Sequence, residues 1–385
     1  MIVTPIDRLS GVICHFVLLL IASTTLVAVS EKADAQTRSF DGTSNNTTND
    51  LWGSAGSSYT RMGDSTYDNG MSTPRIGSNA RDISNTLGTQ SPALSARNLS
   101  SFVWQWGQFL DHDLSLTHSD NTEQFNIAIP QGDRYFDPYN TGTATMSFHR
   151  SSDFIIDDNG VRQQENTITT YIDASNVYVS DETKAKALRT LDGTGKLKTS
   201  QSKDGDVLLP KNQQGFFLAG DERVNEQVGL IAAHTLFVRE HNRLAEEIKT
   251  LLDKKTPELV EQFNRSGLNQ GDFIYETARK IVGAEIQAIT YNEFLPVLLG
   301  NNSPDLESLI YNSNTNPGIS NEFSTAAFRV GHTLLSSEIQ LANDRGSQGS
   351  IRLKDAFFNP SFVEEQGIDS LLLGLASQEA QAVDN

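Results

Sequence analysis

One short segment carries more ionisable and amide side chains than an apolar helix tolerates without partners: Trp106-Gly107-Gln108-Phe109-Leu110-Asp111-His112-Asp113. Gln108, Asp111 and His112 fall at i, i+3 and i+4, so on a helix they share a face, while Asp113 turns about 100° away from His112. One segment can therefore serve two sites. Buried imidazoles and carboxylates call for a ligand, a metal or a compensating network. The plain alternative is a satisfied core histidine, with the two aspartates facing solvent.

A second constellation is Thr169-Thr170-Tyr171-Ile172-Asp173-Ala174-Ser175. In an extended chain alternate residues point the same way, so Thr169, Asp173 and Ser175 offer side-chain oxygens while intervening carbonyls add more. That donor set suits a hard cation. Calcium takes six to eight oxygens, and Asp113 would supply a second carboxylate. Taken alone, the stretch also reads as an ordinary Ser/Thr-rich turn.

Two further segments carry candidates. Arg223-Val224-Asn225-Glu226 enters a long helical run, where Arg223 can stabilise developing negative charge and Glu226 sits in the favourable first turn. A simple ion pair or cap is the bland alternative. His234 and His241 follow on that helix without the glutamate of an HExxH zinc site, which points to structural roles. In Ala326-Ala327-Phe328-Arg329-Val330-Gly331-His332, the histidine lies among apolar neighbours, and Gly331 permits close approach of a flat, bulky group, a packed core histidine being the plain alternative for the residue in isolation. Two buried histidines on separate helices, an arginine and no thiol suggest haem, held on one side by His332 and reacting on the other near His112.

The elements that must position these residues are mostly helical. Phe102, Val103, Trp106, Phe109, Leu110 and Leu114 predict a buried helix over 101–116. Glu226 to Leu252 predicts a long helix and Gly271 to Ile289 another. Phe294 to Leu299 reads as a compact apolar turn, and a further helix is expected near Asn321 to Ser337. Residues 118–160 read as loops, with Pro130-Gln131-Gly132-Asp133 and Asp137-Pro138 as turn signals, and 191–206 as turns and a hairpin. A short extended stretch is expected around Thr167 to Val177. The fold class is mainly α: one large domain with few short strands, preceded by an extended, polar arm over 36–95.

Composition narrows the function classes. The 385 residues include 30 Lys and Arg against 48 Asp and Glu, a net charge of −18, which is the wrong sign for holding nucleic acid. Mean hydropathy is −0.37, which excludes a polytopic membrane protein. The one cysteine, Cys14, lies in an apolar run from Gly11 to Ser30, preceded by Arg8 and followed by the small-x-small triplet Ala33-Asp34-Ala35. This predicts a secretion signal over 1–35, an uncleaved anchor being the alternative. The expected location is extracellular, or periplasmic in a bacterium, with no stable membrane insertion once the signal is cleaved. No thiol then remains for a metal site, a nucleophile or a redox pair.

At these residues the chain resembles the animal-type haem peroxidases, the family of myeloperoxidase and peroxidasin. The resemblance rests on WGQFLDHDL at 106–114, TTYIDASNVY at 169–178, AGDERVNE at 219–226, HTLFVREHNRLA at 234–245, ITYNEFLPVLLG at 289–300 and AFRVGHTLL at 327–335. These stretches occur in the family's order, from about Arg38 onward. The resemblance implies a single haem-peroxidase domain that reduces hydrogen peroxide and oxidises halides, pseudohalides or small phenolic donors. It implies haem b and Ca2+ as cofactors.

Residue by residue, it implies that His112 is the distal histidine, that Gln108 orders water or halide beside it, and that Arg223 is the distal arginine. His332 is the implied iron ligand, with Arg329 beside the haem, and Asp111 and Glu226 match carboxylates that form ester links to it. Asp113, Thr169, Tyr171, Asp173 and Ser175 match the calcium site. Where one family member forms a third link through a methionine after the glutamate, Gln227 stands here. The family's disulfides are absent, which resembles a bacterial-type member. The family continues beyond the point matching Asn385, so the body over 96–385 is expected to be incomplete at its C-terminus. Two other readings stay open: a fatty-acid dioxygenase of the same superfamily, although Phe328-Arg329-Val330 offers no tyrosine before His332, and a secreted calcium-binding structural or adhesion protein. Oligomeric state is left open.

Overall fold

A computed structural model describes residues 37–88, 91–305 and 310–383. The expected signal over 1–35 lies outside the described residues. The chain is mainly helical with short paired strands.

Helix α1, Phe102–Leu114, is buried nearly all round, with Trp104, Trp106, Phe109 and Leu110 in the core. Full burial of a side chain such as Phe109 contributes about 1.5–3 kcal/mol. The turn Ser175–Tyr178 forms α2. Helix α3, Val228–Asp253, begins where the Gln227 side-chain oxygen accepts from the Gly229 N–H at 2.6 Å, and it buries Leu230, Ala233, Phe237, Leu244, Ile248 and Leu252. Helix α4, Gln270–Ile289, starts at Asn269, whose side chain accepts from the Asp272 N–H at 2.9 Å. The three long helices meet through aromatic rings. Phe109 stacks on Phe237 at 5.1 Å, Trp106 lies 5.9 Å from Phe237, and the Trp106 indole N–H donates to Thr290 Oγ1 at 3.3 Å.

Several expected elements differ in detail. The apolar stretch after Ile289 is no turn: α4 runs on as a π-helical segment, Thr290–Phe294, and then as Leu295–Leu299. Pro296 is accommodated because it falls in the first turn of that last piece, where its missing N–H forfeits nothing. The helix expected over Asn321–Ser337 is broken into Asn321–Thr325 and a 3-10 segment, Ala327–Leu334, because Ala326 takes φ −128° and ψ −66°. Residues 118–160 form more strand than expected. Ser119–Gln124 pairs with His149–Ser151, Ile127–Ala128 with Thr145–Met146, and Phe154–Ile156 with Arg162–Asn166. The expected hairpin after Leu191 is Ser200–Gln201 against Val207–Leu208.

The polar segment before Ser95 lies against the body. Ser57–Ser58 adds an edge strand to Glu165–Asn166, Arg279 donates to the carbonyls of Arg38 and Ser39 at 2.9 and 3.0 Å, and Asn46 donates to Ser313 O at 2.9 Å. It also forms one helix, Ala80–Leu87. Near the C-terminus the antiparallel pair β1, Glu338–Asn343, and β2, Gly346–Arg352, packs on α5, Asp369–Ser377. Gly374 makes this contact possible, since a Cβ there would lie 2.5 Å from the Gln340 carbonyl carbon. Among the described residues no helix is long and apolar enough to cross a membrane.

Candidate functional site

Helix α1 does serve two sites. On one face Gln108, Asp111 and His112 look toward the segment that enters α3. Gln108 Nε2 donates to Glu226 Oε2 at 3.0 Å, and Gln108 Oε1 accepts from Gln227 Nε2 at 3.0 Å. Gln227 Nε2 also donates to Gln105 Oε1 at 2.6 Å. The residue that rules out a methionine-type link thus ties the helix cap to α1. His112 is 3% exposed; its Nε2 lies 3.6 Å from Glu226 Oε2, and its Nδ1 lies 3.5 Å from Asp221 Oδ1. Burial, and then the nearby Arg223 charge, push its pKa well below the usual histidine value, which keeps the ring neutral.

Arg223 belongs to a 3-10 turn, Glu222–Asn225, capped by Asp221. The Asp221 carboxylate accepts from Arg223 Nε at 2.9 Å and Nη2 at 2.7 Å, a two-pronged pair. Burial pushes the Asp221 carboxyl up, but the Arg223 charge and hydrogen bond pull it further down, to about 2. Asp111 accepts from Ser115 Oγ at 3.0 Å and faces Arg329 Nη1 at 3.5 Å, which joins α1 to the 327–334 segment. Burial raises its pKa, against the Arg329 and Arg223 charges.

Asp113, on the other face of α1, accepts from Ser175 Oγ at 2.7 Å and from the backbone N–H of Ala174 at 3.1 Å. Thr169 Oγ1 donates to Asp173 Oδ2 at 3.1 Å. The expected extended strand is absent here: the chain bends, Ala174 takes φ +65°, and Ser175 opens α2. Thr169, Asp173, Ser175 and Asp113 therefore meet through a tight bend rather than by strand alternation. Tyr171 takes part differently from its neighbours, because its hydroxyl donates away to Trp52 O at 2.7 Å while its carbonyl faces Thr169 Oγ1 at 3.5 Å. Burial raises both aspartate pKa values, and the Asp113 charge raises that of Asp173 further. Two carboxylates, two hydroxyls and a carbonyl in one buried pocket form an oxygen set of the kind a hard cation takes. Among the described residues no group of three or more His, Cys, Asp or Glu side chains is placed to hold a metal.

His332 departs from expectation. It is exposed, not buried among its apolar neighbours, and Leu334 is the residue of its segment that enters the core. The reason is the 3-10 geometry, which sets residues three apart over one another. His332 thus follows Arg329 on the outer edge. His234 and His241 are core residues as expected: His234 Nδ1 bonds Leu230 O at 2.9 Å, and His241 bridges the Tyr178 hydroxyl at 2.8 Å and Gly195 O at 2.9 Å.

A cleft of about 710 Å3 opens beside α1, and His112, Arg223, Glu226, Ser324 and Arg329 are among the residues that line it. His332 is not among its lining residues. Sequence reasoning missed Asp221 and Gln105. Asp221 carried only the signal of a cap, an acidic residue two places before the arginine it grips, which says nothing of the imidazole behind it. Gln105 had none beyond its place on α1.

Residues 37–385 match the family model described as animal haem peroxidase, and the chain belongs to that family. A peroxidasin homologue of Mus musculus is 35% identical over 397 residues, covering 88% of this chain and 26% of the relative. Peroxinectin A of Dictyostelium discoideum is 30% identical over 388 residues, covering 94% of this chain and 69% of the relative. The chain thus spans about a quarter of the length of the peroxidasin. Among solved structures, peroxidase A from Dictyostelium discoideum superposes with a TM-score of 0.79 at 29% identity, over 91% of this chain and 70% of that one. A fatty acid alpha-dioxygenase of Arabidopsis thaliana shares the fold, with a TM-score of 0.70 at 18% identity over 90% of this chain and 56% of that one.

The family implies haem, and the side chains present fit it. The His332 imidazole makes no hydrogen bond among the described residues, and a Cβ on Gly331 would meet nothing within 4 Å, so ring and approach are both open. The cleft beside α1 offers the neutral imidazole of His112, the guanidinium groups of Arg223 and Arg329 and the Glu226 carboxylate.

Proposed function

We propose that the protein is a haem peroxidase that reduces hydrogen peroxide and oxidises halides, pseudohalides or small phenolic donors. The observation that carries this reading is the buried, neutral His112, flanked by Arg223, Gln108 and Glu226 at the wall of a cleft. His332 would hold the iron of haem b, with Arg329 beside it. Asp111 and Glu226 would form ester links to it, and Asp113, Thr169, Asp173, Ser175 and the Tyr171 carbonyl would hold Ca2+. Bound haem supplies the redox centre at which the peroxide O–O bond breaks.

The chain's own residues handle protons and charge. His112 Nε2 accepts the proton of the incoming peroxide and returns it to the departing oxygen, which leaves as water. The Arg223 guanidinium stabilises the negative charge that builds on that oxygen. Gln108, held through its amide by Glu226 and Gln227, orients water or an anion next to the imidazole. An extracellular or periplasmic location completes the proposal, argued from the apolar run over 11–30 and the Ala33-Asp34-Ala35 triplet.

The test is peroxide consumption by haem-loaded protein with guaiacol or bromide, beside oxygen uptake with linoleate. Peroxide-dependent oxidation of either donor is expected, and His112→Ala should lower its rate about 10²–10⁴-fold with the haem absorbance retained. Oxygen uptake with linoleate in the absence of peroxide would overturn the assignment in favour of a dioxygenase. Failure to take up haem on supplementation would favour a calcium-binding structural protein.

A further inference from the structure

Asp221 is 3% exposed, yet nothing in the family resemblance gives it a task. A neutral imidazole carries one N–H, and the partner of one nitrogen decides which nitrogen is left free. His112 Nδ1 is buried and without a hydrogen bond, and Asp221 Oδ1 stands 3.5 Å from it. That separation is just beyond a normal N–H···O bond, and a shift of a few tenths of an ångström closes it. The opposite nitrogen, Nε2, faces the cleft side and Glu226.

The two carboxylates compete for the ring proton, and their surroundings decide between them. The Asp221 side chain is 1% exposed and that of Glu226 37%, so the pull of Asp221 is far less screened by water. Asp221 also has little freedom to swing away. Its two oxygens grip Arg223, and its backbone N–H donates to Asn176 O at 2.9 Å. The preceding Gly220 lies flat on the backbone of α2: a Cβ there would stand 2.6 Å from Asn176 O and 2.5 Å from the Val177 carbonyl carbon. The Asp221 carboxylate is thereby anchored to the loop that carries Asp173 and Ser175.

We propose that Asp221 is the positioning residue of this site: it holds the His112 proton on Nδ1, leaving Nε2 as a free base toward the cleft, and it clamps Arg223 beside that base. The proposal rests on the peroxidase reading for its kinetic consequence but not for the tautomer itself.

The two parts separate in one experiment. Nitrogen-15 histidine NMR on the whole chain reads which His112 nitrogen is protonated, and stopped-flow mixing of haem-loaded protein with hydrogen peroxide reads the rate. Wild type should show the Nδ1–H form alone. Asp221→Ala should lose that preference and slow the peroxide step about 100-fold, with the KM for the reductant unchanged. Asp221→Asn keeps an oxygen acceptor but not the charge, so it should retain the tautomer and slow the step about tenfold. If Asp221→Ala fails to fold, Asp221→Asn decides alone, and a wild-type rate in that variant overturns the proposal. So does an Asp221→Ala protein that keeps the Nδ1–H form. A wild-type protein that binds haem yet ignores peroxide would instead sink the peroxidase reading, with the NMR result still judging Asp221.

Discussion

His112 sits inside α1, 3% exposed, in a wall where neighbouring amides and carboxylates are tied to one another at 2.6–3.0 Å. His332 sits at the surface of a 3-10 segment with no hydrogen bond among the described residues. The first histidine is positioned by the protein before any ligand arrives. The second is held only by its place on the exposed edge of its segment. A buried ring among fixed polar groups and an exposed ring without such ties differ in how each is held, and the contrast predicts that damage to the two regions will look different. Changes in the α1 wall should disturb folding and chemistry together, whereas changes at His332 should disturb binding alone.

The largest expected effect concerns the oxygen pocket behind α1. Calcium at about 100 times its dissociation constant should stabilise the chain by about 2.7 kcal/mol. Asp113→Ala should abolish that gain, and equal melting temperatures with calcium and with chelator would remove the pocket from the account.

Gly220→Ala comes next. Its Cβ would meet backbone atoms of 176 and 177, which cannot yield as a flexible side chain does, so a loss of about 1–3 kcal/mol in urea unfolding is expected. Unchanged stability would mean that the Arg223 segment and α2 are not packed together.

A smaller effect lies away from both histidines. Burial, and then the Glu240 charge, push the Glu285 carboxyl up to about 8, from a usual value near 4.5. The folded chain therefore binds this proton more tightly than the unfolded chain does. Its stabilising contribution is complete below about pH 4.5 and is lost as pH rises toward 8. Glu285→Gln should flatten that decline, raising the melting temperature at pH 8 by roughly 2–4 °C for each kcal/mol recovered. A parallel pH profile in the variant would refute the assignment to Glu285.

The smallest effect is His332→Ala in the haem-free chain. An exposed residue without partners should change stability by no more than about 0.5 kcal/mol, as read by thermal unfolding. A larger loss would show that His332 is packed, and the comparison would fail.

The α1 site was legible in the sequence because two signals coincide there: apolar residues at helical spacing require burial, and Gln108, Asp111, His112 and Asp113 require partners once buried. The oxygen-rich loop over 169–175 was legible by residue type but not by shape. Its residues converge through the positive φ of Ala174, which local alternation does not foretell. That Tyr171 turns its carbonyl toward Thr169 while its hydroxyl bonds Trp52 O could not be read from residue type. Asp221 was hidden because a capping aspartate looks the same whether or not an imidazole lies behind it. The exposure of His332 depends on Ala326 breaking the helix, and no glycine or proline marks that break.

In the proposed peroxidase His332, and not His112, would hold the haem iron. Resonance Raman spectra of haem-loaded wild type, His332→Ala and His112→Ala test this directly through the iron–imidazole stretch. The band should be present in wild type and His112→Ala and absent in His332→Ala. A band that survives in His332→Ala, or that disappears in His112→Ala, would contradict it.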